Sequence, residues 1–379
     1  LSLAAWAGIA AASRHRLDDG RGVGGSRLWT WGGRRGPRPA RLPPEVVRHV
    51  LLLLPGPSLA VWALGEGDVT LWRGVGERPV RLLGLSSAVK ELRILQLQMA
   101  VVATSDNGTS IIWSALSGHP LQVLRHMVRG SERKVFSLDV FPEGDRVVAL
   151  GEACAIVWCV STGAELQRLW FEGLSSQPGD VRVAFRDMVA GGVTYVDNDP
   201  VIVWSVADGR VAHLLEHHGD AVMFIEVPPD RTKLATAGFT GLFIWDADGR
   251  LERRLQLAVG WASRIIVTAG AADIIAANQD SLCMWDARKG KLRWQRNFSE
   301  DVRAIAMHPH GKRLVVLTPG EARVLDIGSG ECPQALRGLH SDARRMTAST
   351  RFLAACGGQQ GILSGQWAAV WEAETGRRL

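Results

Sequence analysis

The chain lacks most of what a disulfide-stapled, metal-binding or membrane-spanning protein needs. Its five cysteines, Cys154, Cys159, Cys283, Cys332 and Cys356, are odd in number and show no CxxC or Cys/His spacing. This argues against a disulfide framework or a zinc site and for reduced thiols. No stretch reaches the ~18 consecutive apolar residues of a spanning helix, so no membrane insertion is expected. The glycine clusters in "GEGDVTLW" and "GVGERP" match neither GxxxxGKS nor a GxGxxG opening a helix, so no phosphate cradle is expected. The histidines show no HExxH spacing, and no sustained helical period runs along the chain. The opening "LSLAAWAGIAAASRHR" has neither an initiating Met nor the basic start of a secretory leader. The expectation is a chain that begins inside a longer protein, one that includes a tandem-propeller array among its alternatives.

Charge is present but confined. Eight Arg (Arg14, Arg16, Arg21, Arg27, Arg34, Arg35, Arg38 and Arg41) against Asp18 and Asp19 account for the whole formal +6 of the 379 residues. The remainder is balanced, so a basic pI describes one segment rather than a nucleic-acid-binding face. At 46% apolar and 22% charged residues, the composition is that of a globular chain.

Tryptophan is abundant where tyrosine is almost missing, 15 against one. Eight of the indoles form a series: Trp31, Trp72, Trp113, Trp158, Trp204, Trp245, Trp285 and Trp371. The steps are 41, 41, 45, 46, 41 and 40 residues, then 86, and Leu325 in "EARVLDIGSG" divides the last gap into two ordinary steps. Most members close a short apolar run, as in "SIIW", "AIVW", "VIVW", "LFIW" and "LCMW". Within one period, runs of four to eight residues alternate with Gly, Asp and Asn turns, which is a meander of strands. Four strands per ~40 residues is the signature of a propeller blade. The indole is expected to fill the gap between neighbouring sheets, and "PEVVRHVLLLL" falls where an innermost strand is due.

These residues resemble the WD40-repeat family. Trp245–Asp246 and Trp285–Asp286 carry the literal pair, with Leu325–Asp326 and Trp371–Glu372 as near matches. Ser105, Asp106, Asn107 and Gly108 stand where the family has its turn before the Trp, and "EHHGDAV" puts His218 and Asp220 near the family's His and following acid. In other blades the turn Asp is replaced by Glu66, Glu152 or Phe239. Those blades are expected to rely on apolar packing instead of the family's buried polar set. The resemblance implies an all-β, WD40-like β-propeller with seven or eight four-stranded blades plus a partial N-terminal blade. Residues 1–43 would form the partial blade and Arg-rich connection, and residues 44–379 the propeller.

Candidate chemistry is sparse. Asp286, Gly290 and Trp294 in "WDARKGKLRW" resemble the tryptophan-docking motif of quinoprotein dehydrogenases. That motif recurs around a ring and is found once here, so an ordinary turn and outer strand is the expectation. His217 and His218 are adjacent and point apart in an extended segment, which favours a structural or surface role. Ser105 and Asp106 are hairpin neighbours without nucleophile–base geometry. No catalytic residue, cofactor or metal is expected. The function expected is a non-enzymatic scaffold within a large multiprotein assembly, in an intracellular and most simply cytoplasmic setting, with nucleus or organelle as alternatives. Arg34, Arg35, Arg38 and Arg41 are the candidate partner-binding residues, because guanidinium suits carboxylate and phosphate. RNA is the alternative ligand for that segment.

Overall fold

The computed structural model describes residues 46–53, 60–64, 69–72, 80–171, 178–185, 187–193, 200–216, 222–238, 241–256, 264–308, 310–336, 339, 343–348, 352–357, 367–372 and 375–376. The expected boundary at residues 43 and 44, and the partial blade with Trp31, lie outside the described residues. All described strands belong to one unit, Pro39–Leu379.

That unit contains eight antiparallel meanders, here blades 1 to 8. Seven have four strands, and the eighth has three among the described residues, Ala343–Ala348, Phe352–Gly357 and Trp367–Glu372. Blade 1 opens with Val46–Leu53, the stretch expected to be an innermost strand. In every blade strand order follows chain order, and the first strands of successive blades pack side by side. The first strand of blade 1 also packs against the first two strands of blade 8, which closes the ring.

The apolar third strands explain why the ring holds together. In blade 2 (Thr109–Ser114) Ile112 and Trp113 are neighbours in sequence and so project to opposite faces. Trp113 packs against Leu71 and Leu82 of blade 1, whereas Ile112 packs against Val147 and Ile156 of blade 3. The same division recurs around the ring. Val157 faces blade 4 and Trp158 faces blade 2; Val203 faces blade 5 and Trp204 faces blade 3. Ile244 meets blade 6, where Trp285 waits, and Met284 meets Leu325 of blade 7. Leu325 occupies the indole's place, as expected. Both faces of each sheet are dry, so a third strand without polar alternation is what the fold demands.

Register fixes each indole at one height. Trp113, Trp158, Trp204, Trp285 and Trp371 pair with the second residue of their second strand, and Leu325 does likewise. In blades 2 to 6 a bulge follows on the fourth strand, where one residue is skipped opposite the Trp. The extra residue re-aims the outer strand toward the following blade. There the side chain of the residue after the bulge covers the turn after that blade's third strand. Gln122 Nε2 donates to Ser161 O (2.8 Å), and Trp294 Nε1 donates to Ile327 O (2.8 Å). Trp294 lies so close over Gly330 (φ +69°) that an added Cβ would sit 2.7 Å from its ring.

Indole N–H groups are satisfied in more than one way. Trp113 Nε1 donates to Leu83 O (3.0 Å) and Trp204 Nε1 to Trp170 O (3.2 Å), both on the preceding blade's outer end. Trp245 Nε1 donates to Thr236 Oγ1 (2.8 Å) in its own blade.

Two stability predictions follow from this packing. Trp113→Ala removes a fully buried indole and is expected to lower unfolding free energy by about 3–5 kcal/mol, measured by denaturant titration; a near-neutral result contradicts the wedge role. Gly330→Ala adds left-handed strain and a clash with Trp294, and should destabilise by about 1–3 kcal/mol. An unchanged unfolding midpoint would show that the glycine is dispensable.

Candidate functional site

The partner-binding candidates Arg34, Arg35, Arg38 and Arg41 lie outside the described residues, as do His217, His218 and Asp220. The turn Ser105–Thr109 is described, and its side chains are spent on holding the hairpin. Ser105 Oγ donates to Asn107 Oδ1 (2.6 Å), the Thr109 N–H donates to the same oxygen (3.1 Å), and Ser87 Oγ bonds Asp106. Asp286 accepts from the Lys289 N–H (3.0 Å) and faces Arg293 (3.2 Å), so Asp286, Gly290 and Trp294 form a turn and an inter-blade contact, the structural reading expected of them. Among the described residues no three His, Cys, Asp or Glu side chains cluster as a metal site, and Cys154, Cys159, Cys283 and Cys332 are free thiols. No helix among them is long and apolar enough to cross a membrane.

His126, which precedes the first strand of blade 3, was not singled out in the sequence. Its ring is buried edge-on to Trp158 (6.2 Å) over Gly151, and its Nε2 lies 3.0 Å from Cys154 O. Nδ1 has no partner among the described residues. The nearby turn carries Glu152, which turns to Arg133 (3.6 Å) instead. Burial lowers the histidine pKa, so the ring is neutral. This is a blade in which the family's polar set is incomplete, as the replaced turn acid implies.

The chemistry that the described residues do assemble lies on the innermost strands. Alternate residues of an inner strand turn to opposite faces of the sheet, and register aligns equivalent positions from blade to blade. One rung reads Arg93, Asp139, Arg182 and Glu226 in blades 2 to 5, alternating in sign. The same rung continues as Ile266, Ala306, Thr347 and Leu52 in blades 6, 7, 8 and 1. Half of the ring is charged and half is not. One rung away, Glu91, Ser137 and Asp180 extend the charged half over blades 2 to 4.

Nearly every group in this half-ring is engaged. Arg93 pairs with Glu91 (2.6 Å) and lies 3.7 Å from Asp139. Arg182 Nη1 donates to Asp180 Oδ1 (2.5 Å) and to Val181 O (2.9 Å). Asp139 Oδ2 accepts the Val183 N–H (2.8 Å), and Glu91 Oε2 accepts the Leu138 N–H (2.7 Å). Ser137 Oγ lies 2.9 Å from Glu91 and 2.8 Å from Asp180, and its one hydrogen serves a single carboxylate at a time. Burial raises the Asp180 pKa against the pull of Arg182. Burial also pushes Glu91 upward, but Arg93, Arg182 and its hydrogen bonds outweigh it and hold Glu91 below the usual range.

Arg231 reaches in from the Pro228–Arg231 turn, its backbone left-handed (φ +52°). Its guanidinium donates to Val183 O and, at 3.4 Å, to Val140 O, which ties blade 5 to blades 3 and 4. A non-glycine residue held in that conformation stores about 1–2 kcal/mol of strain. Glu226 is different from all of these. It accepts no hydrogen bond among the described residues, and burial, opposed by Arg182, pushes its pKa up to about 7. Glu226, Arg93, Asp139, Arg182 and Arg231 line a cavity of about 360 Å³ at the channel end where inner strands run into second strands.

No family model matches the chain. It is similar to target of rapamycin complex subunit LST8 of Bos taurus (22% identical over 139 residues, 32% of this chain and 42% of that protein) and of Mus musculus (23% over 139 residues, with the same shares). The chain thus matches less than half the length of these relatives. Among solved structures it is similar to the computationally designed Ika8 protein (TM-score 0.70, 18% identity, covering 86% of this chain and 98% of that one). It is also similar to the C-terminal WD40 domain of Sif2 (TM-score 0.68, 15% identity, 87% and 99%). The fold is a WD40-like β-propeller.

The elevated Glu226 pKa makes a pH-dependent stability. The folded state holds a proton on Glu226 between the ordinary carboxylate range and about pH 7, where the unfolded chain has released it. Stability from this group is therefore full at acidic pH and lost as pH rises through about 7. Glu226→Gln is expected to raise stability at about pH 8 by on the order of 1–3 kcal/mol and to change little at about pH 4. Equal effects at both pH values, in thermal melts, would contradict the buried, unpaired state of this carboxyl.

Proposed function

We propose that the chain is a non-enzymatic protein-interaction scaffold and a subunit of a larger multiprotein assembly. The observation that carries this reading is an apolar outer wall. Leu121 and Val123 on the outer strand of blade 2 are exposed, as are Leu166 and Trp170 on blade 3 and Val211 and Leu214 on blade 4. In blades 5 and 6 the outer strands expose one leucine each, Leu251 and Leu292, among Arg253, Arg254, Lys291 and Arg296. Large apolar side chains grouped over three successive blades, with a tryptophan among them, are what a protein partner anchors on. The rigid closed ring keeps those anchors in fixed register, so little ordering entropy opposes binding. The LST8 relatives are by name subunits of a complex, which supports the same reading.

The wall gives a direct test. Val123→Asp with Leu121→Asp, and separately Trp170→Ala, alter exposed side chains and leave the buried indoles untouched. The stoichiometric protein that co-purifies with the tagged chain from its own cells is expected to drop at least tenfold in the variants, with circular dichroism and melting unchanged. A chain that purifies alone, or variants that retain the partner, would overturn the proposal.

A further inference from the structure

Among the carboxyl groups of the charged half-ring, Glu226 differs from Glu91, Asp139 and Asp180 in accepting no hydrogen bond and pairing with no guanidinium among the described residues. Arg93 is engaged by Glu91, Asp139 and Leu92 O; Arg182 by Asp180 and Val181 O; Arg231 by Val183 O and Val140 O. Each guanidinium spends donors within the ring, so an anion entering the cavity would compete with bonds already made. Glu226, in contrast, accepts nothing among the described residues, although it is half-buried and lines the cavity. Four carboxyl groups, Glu91, Asp139, Asp180 and Glu226, face three guanidinium groups, Arg93, Arg182 and Arg231. The guanidinium groups do not outnumber the carboxyl groups, so a further cation beside Glu226 does not crowd like charge. A half-buried carboxylate without a partner is partly desolvated, and a ligand that supplies the missing donor recovers that cost on binding.

The rest of the lining defines the shape of that ligand. Val227, Pro228 and Pro229 form one side of the cavity. The prolines have no N–H to offer, so this side is an apolar strip beside a single acceptor. An aliphatic stem lies well on such a strip while its charged tip reaches the acceptor. We infer that this cavity binds a cationic side chain on an aliphatic stem, a lysine or arginine from an extended segment of a protein partner. The identity of the donor as a protein rests on the scaffold reading; the site itself does not.

The test uses the full chain and three tripeptides: acetyl-Gly-Lys-Gly-amide, acetyl-Gly-Arg-Gly-amide and the uncharged norleucine analogue. At about pH 8.5, isothermal titration should give saturable binding of a basic peptide near about 1 mM or tighter, at least tenfold tighter than norleucine. Glu226→Gln should abolish that preference, and Glu226→Asp should restore part of it. At about pH 5.5 the preference should fall at least tenfold, because Glu226 is then protonated. The other groups facing it, Asp180 and Arg182 from blade 4, Asp139 from blade 3, Glu91 and Arg93 from blade 2 and Arg231 from its own blade, should hold their charges or change them without abolishing binding in Glu226→Asp. Norleucine binding as tightly, an undiminished Glu226→Gln, or no saturation overturns the inference. The peptides need no partner, so their failure alongside a partner lost in the wall variants would reject this site and leave the scaffold reading standing.

Discussion

Burial of both faces of every sheet is the constraint on which the structure depends. A four-stranded meander alone has two apolar faces and no core. Placed in a ring, it gives one face to each neighbour, and adjacent residues of the third strand serve different interfaces. Ile112 and Trp113 illustrate this division within a single peptide unit. The energy is spread over seams between blades, so the domain gains stability only as those seams close. The outer-strand bulges and the side chains laid over neighbouring turns fasten the same seams at the periphery.

The channel is governed by a different balance. Polar side chains are tolerated on the inner strands of blades 2 to 5 because they satisfy one another across neighbouring strands. The protein uses that freedom unevenly. Arg93, Asp139, Arg182 and Glu226 alternate in sign across four blades, while the same rung in the other four blades is carried by Ile266, Ala306, Thr347 and Leu52. Alternation lets each guanidinium serve carboxylates on adjacent strands, which a single-sign ring could not do. Arg231 adds a clamp across three blades and accepts backbone strain to reach it.

The fold was legible in the sequence because indoles recur at a period no other architecture explains. Even the missing member was placed at Leu325, which stands in the register of its tryptophan counterparts. The Ser105–Thr109 turn and the loss of the polar set near Glu152 could also be read locally, since both are set by residues close in the chain. The charged half-ring could not. "KELRI", "FSLDV" and "DVRVAF" place polar side chains two residues apart, and "FIEVPPDR" carries a lone Glu226 among apolar neighbours, which marks a polar face without saying whether that face meets bulk water or a closed channel. Arg182 meets Asp180 on its own strand, but the relation of Glu226 to residues of other blades exists only after the ring closes. His126 was overlooked for the same reason: its partners Cys154, Gly151 and Trp158 lie in the following blade.

The alternating rung carries a consequence for how blades of this chain may be rearranged. Neighbour order around the axis, not the position of the termini, decides which charges meet. A circularly permuted chain would preserve every plus-to-minus contact at the axis. Transposing blades 3 and 4, in contrast, would set Arg182 beside Arg93 and Asp139 beside Glu226. The repeats are alike in outline, yet those at the charged side are no longer interchangeable parts.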